Sequence, residues 1–337
     1  MTARSPRRAP TVLYSVPAPS AASNPYTTML ARGVAQSMAV EFFSWRRALL
    51  GHHDILHVHW PETLVRGSSA GRRIARQLAG HAYLTIARAR RVKIVRTLHN
   101  REPHEPGSLI ERWFIRRLDR ATVSTVLLSP STEAAGPGKH VIPHGHYREW
   151  EPYKLDAPPA KTRSMLLFGS LRRYKGIEDA IAAFKALPPA ERCTFVIAGA
   201  PADPAYEHDI VAAATGDPRI TVDARRVPDR ALAQLVASAA CVVLPYRDFY
   251  NSGAALLALS LGTRIVAPRT PSSELLLGEF GPHWVTLYDG AISAAVIEGA
   301  LSPAHRLPAS PPDMRAREWQ PIVDAHVALY DQLVGAR

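Results

Sequence analysis

The feature that most constrains this chain is a repeated alternation of short apolar runs with helix-compatible segments. The first half contains apolar runs such as TVLYSV, DILHVHW and VKIVRTLHN, each separated from the next by a stretch with helical spacing. Short apolar runs that alternate with helices are typical of parallel sheets whose two faces are both covered. The sequence therefore predicts an α/β fold built from doubly wound, Rossmann-like parallel sheets.

The alternation stops once and then restarts, which predicts two domains. The interruption is the Pro-rich, polar segment YREWEPYKLDAPPAKTR, and apolar runs such as SMLLFG, CTFVIAG and CVVLPY follow it. A length of 337 residues is comfortable for two such domains. We expect a first domain over residues 1–150, a linker over 151–163, a second domain over 164–312 and a final helical segment over 313–337.

Composition and motifs exclude several other classes of protein. The sequence has no run of roughly 18 apolar residues that would predict a transmembrane helix. Its first apolar run, residues 11–16, is too short for the core of a signal peptide. Cys193 and Cys241 lie in separate apolar runs without metal or disulfide spacing, and neither G-x-G-x-x-G nor a P-loop is present. We expect a cytoplasmic protein that uses no cofactor and no metal ion.

The net charge of +12 comes from the first half of the chain. Residues 1–150 carry 22 Lys and Arg against 9 Asp and Glu, whereas the remainder carries 19 against 20. Such asymmetry indicates that the first half faces an anionic partner, which is a nucleic acid, a membrane surface or an anionic substrate.

The residues that directly follow strands are the candidate binding residues, because ligands of open α/β sheets bind outside the carboxyl ends of the strands. After SMLLFG, Gly169 allows close approach of a backbone, and Arg172 and Lys175 are spaced to aim at one anion such as a pyrophosphate. A solvated turn between strand and helix is the alternative interpretation.

A second candidate phosphate seat follows CVVLPY. Tyr246 ends this run, and Asn251, Ser252 and Gly253 precede an Ala- and Leu-rich helical segment. The free amide groups at such a helix start favour a phosphate. An ordinary helix cap by Asn251 or Ser252 explains the same residues equally well.

In the first half, histidines and glutamates follow two strands, in HVHWPE and TLHNREPHE. Neither segment has a known metal-ligand spacing, so we interpret them as bases or sugar-binding groups. His57 lies within a strand and is expected in the core. His59 and His99 lie at strand ends and are candidate functional residues.

Taken together, these motifs resemble the GT-B glycosyltransferases over essentially the whole chain. FGSLRRYKGIEDAI resembles the donor-phosphate loop of that family, with Arg172 and Lys175 at its phosphate-binding positions. TLHN resembles the segment whose histidine faces the sugar donor, which implies His99. VIPHG resembles the turn before the interdomain linker, and REWQPIVDAHVALY resembles the last helix, which crosses back onto the first domain. The resemblance implies two facing sheets and a nucleotide-sugar donor.

One departure from the family bears on stereochemistry. The large retaining family of this fold carries two glutamates eight positions apart, and Phe249 and Leu257 stand at those positions here. The sequence is more similar to bacterial exopolysaccharide enzymes, of which the GDP-mannose:glycolipid mannosyltransferases are the nearest resemblance. Because the paired glutamates are absent, we expect an inverting hexosyltransferase, and the GT-B resemblance implies that it needs no metal ion. GDP-mannose is the favoured donor, with a UDP-sugar as the alternative.

An inverting transfer needs a general base near the acceptor hydroxyl. The candidates follow first-domain strands, and they are Glu62, Glu102, Glu105 and His99. We favour a carboxylate, and among them Glu102. Since the first domain of these enzymes usually holds the acceptor, a lipid-linked or polysaccharide acceptor is expected there, and the residues expected on the acceptor side are His59, Trp60 and Asn24.

A basic stretch in the first half predicts a peripheral position on the membrane. Residues 63–101 contain ten Lys or Arg and no acidic residue. A basic amphipathic helix such as RRIARQLAGHAYLTIARARR lies on anionic bilayers, so we expect Arg72, Arg73 and Arg76 to face the inner leaflet. A helix packed on the sheet by its apolar side and solvated on the other is the alternative.

Two further functions are compatible with these features. One is a sugar-nucleotide epimerase of the same fold, which needs no acceptor. The other is a nucleic-acid-binding protein, which the charge favours but which no recognition motif supports. We therefore expect no nucleic-acid partner.

Overall fold

The computed structural model describes residues 10–20, 23–100, 107–131, 138–189, 191–302, 308 and 310–335. The chain divides into two compact units. The first contains the described residues up to Gly145 and those from Arg317 onward, and the second is His146–Ala316. Within the described ranges, each unit is built around one six-stranded parallel sheet. The predicted α/β fold with two doubly wound parallel sheets is confirmed.

The sheet of the first unit has the order β2-β1-β3-β4-β5-β6. Its strands are β1 (Thr11–Tyr14), β2 (Ala39–Phe42), β3 (Ile55–Val58), β4 (Lys93–Leu98), β5 (Thr122–Leu127) and β6 (Lys139–Val141). Each residue of β1 and β3 is buried, as expected for central strands covered on both faces. The direction of winding reverses between β1 and β3, so this unit has its topological switch point there.

The helices of the first unit are α1 (Pro25–Val34), α2 (Trp45–Leu50), α3 (Pro61–Val65), α4 (Ala70–Ala89), α5 (Leu109–Ala121) and, from the far end of the chain, α12 (Trp319–Gly335). Serines cap three of them, because the side chains of Ser44, Ser69 and Ser108 each accept a hydrogen bond from a backbone N–H in the first turn. No helix in the described part of the chain is long and apolar enough to cross a bilayer.

Helix α12 completes the core of the first unit. Trp319, Val323 and Tyr330 pack in one apolar cluster with residues of β1 and α1. A side chain at Gly33 of α1 would collide with Val323, so the two helices are in close contact at this glycine. The final helical segment therefore belongs to the same compact unit as the strands at the start of the chain.

The sheet of the second unit has the order β12-β11-β10-β7-β8-β9. Its strands are β7 (Ser164–Phe168), β8 (Thr194–Ala198), β9 (Ile220–Asp223), β10 (Cys241–Val243), β11 (Arg264–Pro268) and β12 (Val285–Tyr288). Winding reverses between β7 and β10, which are hydrogen-bonded neighbours. Cys193 and Cys241 are buried and free, which confirms their assignment to the core.

The helices of the second unit are α6 (Ile177–Lys185), α7 (Pro204–Ala214), α8 (Asp229–Ser238), α9 (Gly253–Ser260), α10 (Pro271–Phe280) and α11 (Ala294–Leu301). Short 3-10 helices occur at Glu151–Tyr153, Arg173–Lys175 and Arg315–Arg317. Helix α9 is apolar on every side, and all of its residues from Ala255 onward are buried. This burial explains why its sequence lacks a polar face.

Residues 151–163, the segment predicted as a linker, lie against the second unit. The indole Nε1 of Trp150, just before this segment, donates to Asp229 over 3.0 Å, and Tyr153 is buried. Lys161 Nζ donates to the Ala239 carbonyl oxygen over 3.0 Å and to the Thr263 hydroxyl over 2.7 Å. Aromatic and lysine side chains thus fasten this Pro-rich stretch to the sheet and to α8, which its composition alone does not indicate.

Candidate functional site

Two loops meet at the switch point of the second unit. One runs from Gly169 to Gly176 after β7, and the other runs from Leu244 to Ser252 after β10. Because β7 and β10 are adjacent in the sheet, their carboxyl ends open into the same crevice. The backbone N–H of Arg247 donates to the Tyr174 carbonyl oxygen over 2.8 Å and holds the two loops together.

Two glycines shape the first of these loops. Gly169 and Gly176 have φ angles of +87° and +61°, in the left-handed region that L side chains rarely adopt. A Cβ atom at Gly176 would collide with the Pro245 carbonyl oxygen of the neighbouring loop. The turn that the sequence places after β7 therefore needs glycine both for its conformation and for the close approach of the two loops.

Lys175 belongs to the loop after β7, and its side chain is buried. Its Nζ donates to the Phe168 carbonyl oxygen over 2.9 Å and lies 5.5 Å from the centre of the Tyr246 ring. Burial, reinforced by the charge of Arg172, lowers the pKa of Lys175 to about 7. The free protein thus holds a partly protonated amine at the end of β7, and a bound anion would favour its charged form.

The other basic side chains of the turn have different surroundings. Arg172 is half-exposed, and its Nε donates weakly to the Ser170 hydroxyl over 3.4 Å. Arg173 forms an ion pair with Asp209 over 2.7 Å and lies over the Tyr206 ring. Arg173 is therefore held on the exposed surface of the second unit by Asp209.

The second loop ends at the start of α9. Ser252 caps this helix, because its hydroxyl accepts from the Ala255 backbone N–H over 3.2 Å. The buried Tyr246 hydroxyl is hydrogen-bonded to the Ser252 side chain, and burial raises the pKa of Tyr246. Asn251 and Gly253 flank the cap, and a Cβ atom at Gly253 would lie 3.0 Å from the Tyr147 hydroxyl. The structure thus brings the predicted residues of both loops to one edge of the sheet.

Phe249 and Leu257 occupy the positions at which the retaining family carries paired glutamates. Both side chains are buried in the second unit, and Phe249 packs against the Tyr246 ring at 5.8 Å. These positions are therefore part of the apolar core and provide no carboxylate to the crevice.

The first unit carries a cluster of five histidines near the carboxyl ends of its central strands. We define the histidine cluster as His57, His59, His99, His144 and His326, which contact one another or the Tyr14 and Tyr26 rings. Burial holds the pKa of all five histidines below the ordinary value. Neighbouring histidines lower the pKa further at His57, His59 and His99. The rings are therefore neutral near pH 7.

His59 and His99 form a hydrogen-bonded pair, with His59 Nδ1 3.0 Å from His99 Nε2. His59 is buried, and its Nε2 has no hydrogen-bond partner among the described residues. Since an orphaned buried N–H is rarer than an orphaned acceptor, the network assigns the proton to His59 Nδ1. His59 then donates to His99, and the single proton of the neutral His99 ring is on Nδ1.

His99 is the half-exposed member of the pair, and its ring stacks on Trp60 with the centroids 4.4 Å apart. The edge of the Tyr26 ring contacts it from another side. These contacts fix the plane of the ring. In the assigned tautomer His99 presents an N–H donor, which favours binding of a ligand oxygen over proton abstraction.

His57 has a structural role. It is fully buried, with Nδ1 2.5 Å from the Tyr330 hydroxyl and Nε2 2.7 Å from the Thr97 hydroxyl. The prediction that His57 is a core residue is confirmed. Tyr330 and His326 both come from α12, about 270 residues after His57, so no local pattern in the sequence indicates that they join this cluster.

The remaining predicted residues of the first unit have separate positions. Asn24 caps α1, because its side chain accepts from the Tyr26 backbone N–H over 2.9 Å. Burial raises the pKa of Glu62, whose charged neighbours are Arg66, Arg96 and Glu111. Glu102 and Glu105 lie outside the described residues.

The chain is similar to known glycosyltransferases in sequence and in fold. The family described as "Glycosyl transferases group 1" matches residues 162–297, which include both loops of the second unit. A GDP-mannose:glycolipid 4-β-D-mannosyltransferase of Xanthomonas campestris pv. campestris is 36% identical over 326 residues, covering 96% of this chain and 93% of that protein.

Solved structures share the fold at low sequence identity. Sucrose-phosphate synthase from Thermosynechococcus elongatus has a TM-score of 0.65 at 15% identity, covering 98% of this chain and 100% of its own. Anabaena Alr3699/HepE in complex with UDP and glucose has a TM-score of 0.64 at 16% identity, covering 97% and 98%. The chain belongs to the GT-B glycosyltransferases, in the same family as the mannosyltransferase that it resembles over nearly its whole length.

Proposed function

We propose that this glycosyltransferase moves mannose from GDP-mannose to a lipid-linked or polysaccharide acceptor. The observation that carries the proposal is the switch-point crevice of the second unit, where buried Lys175, half-exposed Arg172 and the start of α9 converge. Such a basic, glycine-lined site fits a diphosphate. The choice of GDP-mannose over a UDP-sugar rests on the Xanthomonas relative.

In this proposal the second unit binds the donor. Lys175 and Arg172 contact the diphosphate, and the amides of Ser252 and Gly253 provide the neutral donors of a helix N-terminus. Gly169 allows the phosphates to approach the backbone, and Tyr246 and Asn251 line the same loops. The first unit binds the acceptor, with His59, Trp60 and Asn24 on its acceptor side, and the protein works at the inner face of the cell membrane.

A panel of nucleotide sugars tests the donor proposal. We expect GDP-mannose to raise the Tm more than UDP-glucose or UDP at equal concentration, since a ligand at 100 times its Kd stabilises by about 2.7 kcal/mol. Transfer of mannose to a glycolipid extract would support the full proposal. A changed sugar nucleotide without any acceptor would instead show an epimerase, and a shift with oligonucleotides alone would show a nucleic-acid binder.

We further propose that the transfer needs no metal ion. The charge that develops on the leaving diphosphate is offset by Lys175, Arg172 and the α9 amides. Activity is expected to be unchanged, within about twofold, after exhaustive treatment with EDTA. Loss of transfer that Mg²⁺ or Mn²⁺ restores would contradict this expectation.

We also propose an inverting reaction with a carboxylate as general base. Phe249 and Leu257 leave the crevice without the paired glutamates, and the assigned tautomer makes His99 a hydrogen-bond donor. Glu62 has Arg66, Arg96 and Glu111 as its charged neighbours. Among the carboxylates Glu62, Glu102 and Glu105 we favour Glu102, which lies three residues beyond His99 in the sequence.

The base proposal predicts a large and selective defect. Glu102→Gln is expected to lower kcat about 1000-fold with an unchanged donor Kd, because a general base contributes typically 10²–10⁴-fold. Glu62→Gln and Glu105→Gln serve as matched variants and should retain most of the activity. NMR of the product should show a β-linkage from the α-linked donor, and an α-linked product would contradict inversion.

His59 is proposed as a positioning residue that holds the His99 ring in the tautomer that presents its Nδ1–H to a bound ligand. Replacing His59 by leucine is expected to lower kcat/KM about 10- to 100-fold through loss of one hydrogen bond to the His99 ring. Asparagine places an amide N–H near the original Nδ1, so His59→Asn should recover most of this loss. Equal defects in both variants at unchanged Tm would contradict the positioning role.

A further inference from the structure

Helices α4 and α5 of the first unit carry an apolar outer face that the fold does not use. Ile74 and Leu78 on α4 are 55% and 67% exposed, and Leu109, Ile110 and Trp113 on α5 are 73%, 50% and 51% exposed. Large exposed apolar side chains that lie side by side mark an interaction surface, whereas single ones do not.

Contacts between the two helices bring these side chains together. The Gln77 amide donates to the Ser108 hydroxyl over 3.4 Å, and the His81 and Trp113 rings are 3.9 Å apart. The start of α5 therefore lies beside the first half of α4. Trp113 is held against His81 on one side while half of it stays exposed.

Arginines of α5 share this outer face. Arg112, Arg116 and Arg120 recur at every fourth position and are exposed, and they lie on the opposite side of α5 from the buried Phe114 and Leu118. These three arginines have no hydrogen-bond or ion-pair partner in the described part of the chain. We call the three arginines and the five apolar residues the α4–α5 surface.

The acidic residues of α5 do not neutralise this surface. Glu111 is buried and forms an ion pair with Arg66 over 2.8 Å. Asp119 forms an ion pair with Arg96. An anionic partner is therefore required for charge complementarity, and a second copy of this chain across a two-fold axis would place the arginines against one another.

The structure also separates this surface from the arginines singled out in the sequence. At about 100° per residue, Arg72 and Arg76 lie on the side of α4 away from Ile74 and Leu78. Arg72, Arg73 and Arg76 are exposed because the first turns of α4 extend beyond its buried residues Gly80 and Tyr83. They form a second basic region without an apolar face.

We propose that the α4–α5 surface docks on an anionic lipid bilayer, with Trp113, Leu109 and Leu78 in the interfacial layer and Arg112, Arg116 and Arg120 at the lipid phosphates. Tryptophan is favoured at the membrane interface, and arginine keeps its charge in the headgroup layer while its stem packs on apolar groups. A nucleic acid would use the arginines and leave the leucines and isoleucines unoccupied.

This inference rests on the proposed function in one respect only, which is that the acceptor is linked to a lipid. Docking through α4 and α5 would hold the acceptor-binding unit at the bilayer that carries such a substrate. Bilayer binding itself needs neither donor nor transfer, so its test is independent of the reaction.

Sedimentation with vesicles tests the surface. The probe is phosphatidylcholine vesicles with about one third phosphatidylglycerol, compared with pure phosphatidylcholine, at about 0.1 M and about 1 M salt. We expect the full chain to bind the anionic vesicles at low salt. Reversal of Arg112, Arg116 and Arg120 to Glu should weaken partitioning at least about 100-fold, and Trp113→Ser alone about tenfold.

Reversal of Arg72, Arg73 and Arg76 to Glu is the matched control, with the same change of charge on the same unit. It should weaken binding much less than the α5 reversal. An equal or larger loss in this control, or retained binding in a folded α5 variant, would overturn the proposal, as would absence of wild-type binding.

A wild-type dimer disrupted by Trp113→Ser in the absence of lipid would also overturn the proposal, because it would assign the surface to a second copy of the chain. Circular dichroism and the nucleotide-induced Tm shift establish that each variant is folded.

Discussion

Lys175→Met is expected to lower kcat/KM for the sugar-nucleotide donor about 1000-fold while the Tm stays unchanged or rises. The amine lies buried at the end of β7, 2.9 Å from the Phe168 carbonyl oxygen, and burial lowers its pKa to about 7. Loss of a preorganised charge at a developing anion costs about 10²–10³ in rate, and loss of ground-state contact adds to it. Methionine fills a similar volume and removes an amine that is costly to bury, so the Tm of the variant should not fall.

The comparison with Arg172→Ala distinguishes a binding role from a structural one. Because Arg172 is half-exposed, Arg172→Ala should weaken donor affinity only about tenfold. Isothermal titration of GDP-mannose against both variants measures the affinities, and a thermal melt measures stability. A lower Tm in Lys175→Met with unchanged donor affinity would show that Lys175 has a structural role in the turn.

The pKa of Lys175 also gives the direction of the pH dependence. A lysine whose pKa is lowered to about 7 loses its proton in the free enzyme as the pH rises through neutrality, whereas the bound diphosphate favours the protonated form. Donor affinity should therefore decrease above about pH 7, by up to about tenfold per pH unit, with proton uptake on binding. Titration in buffers of different ionisation enthalpy measures that uptake, and Lys175→Met should abolish it.

Gly176→Ala is the second change for which we expect a large effect, about 3–4 kcal/mol of lost stability and at least tenfold weaker donor binding. Alanine at a φ of +61° is strained, and its Cβ would collide with the Pro245 carbonyl oxygen. Relief of that collision moves the two switch-point loops apart, and both loops contribute to the proposed diphosphate site.

Gly262 provides a matched control for this change. Its φ is +69° and a Cβ atom there would meet nothing within 4 Å, so Gly262→Ala isolates the backbone strain of about 1–2 kcal/mol. It lies just after α9 and should leave donor affinity unchanged. Thermal melts and donor titrations on both variants make the comparison, and equal effects would show that contact with Pro245 does not matter.

Most of the fold was predictable from the sequence because its signals are local. The central strands of a sheet covered on both faces are apolar along their length, so runs such as TVLYSV and CVVLPY indicate their own structure. The segment GSLRRYKG could be placed at the carboxyl end of a strand for the same reason, since it directly follows such a run. Its two glycines, Gly169 and Gly176, and the charged residues between them lie within eight positions, so no tertiary information was needed to single them out.

The sequence by itself thus determined the two doubly wound sheets, the family resemblance and the candidate residues of the second unit. Only the tertiary structure decided which of these side chains are buried and what they contact. The inward position of Lys175, the attachment of Trp150 to Asp229, and the joining of His57 to Tyr330 of α12 depend on contacts between residues distant in the chain. The sequence likewise did not single out the arginines of α5 beside exposed Trp113 as part of a surface, because the longer run of basic residues in α4 drew attention first. The hydrophobic pattern of the sequence determines which residues are buried, but which residues they contact depends on long-range packing.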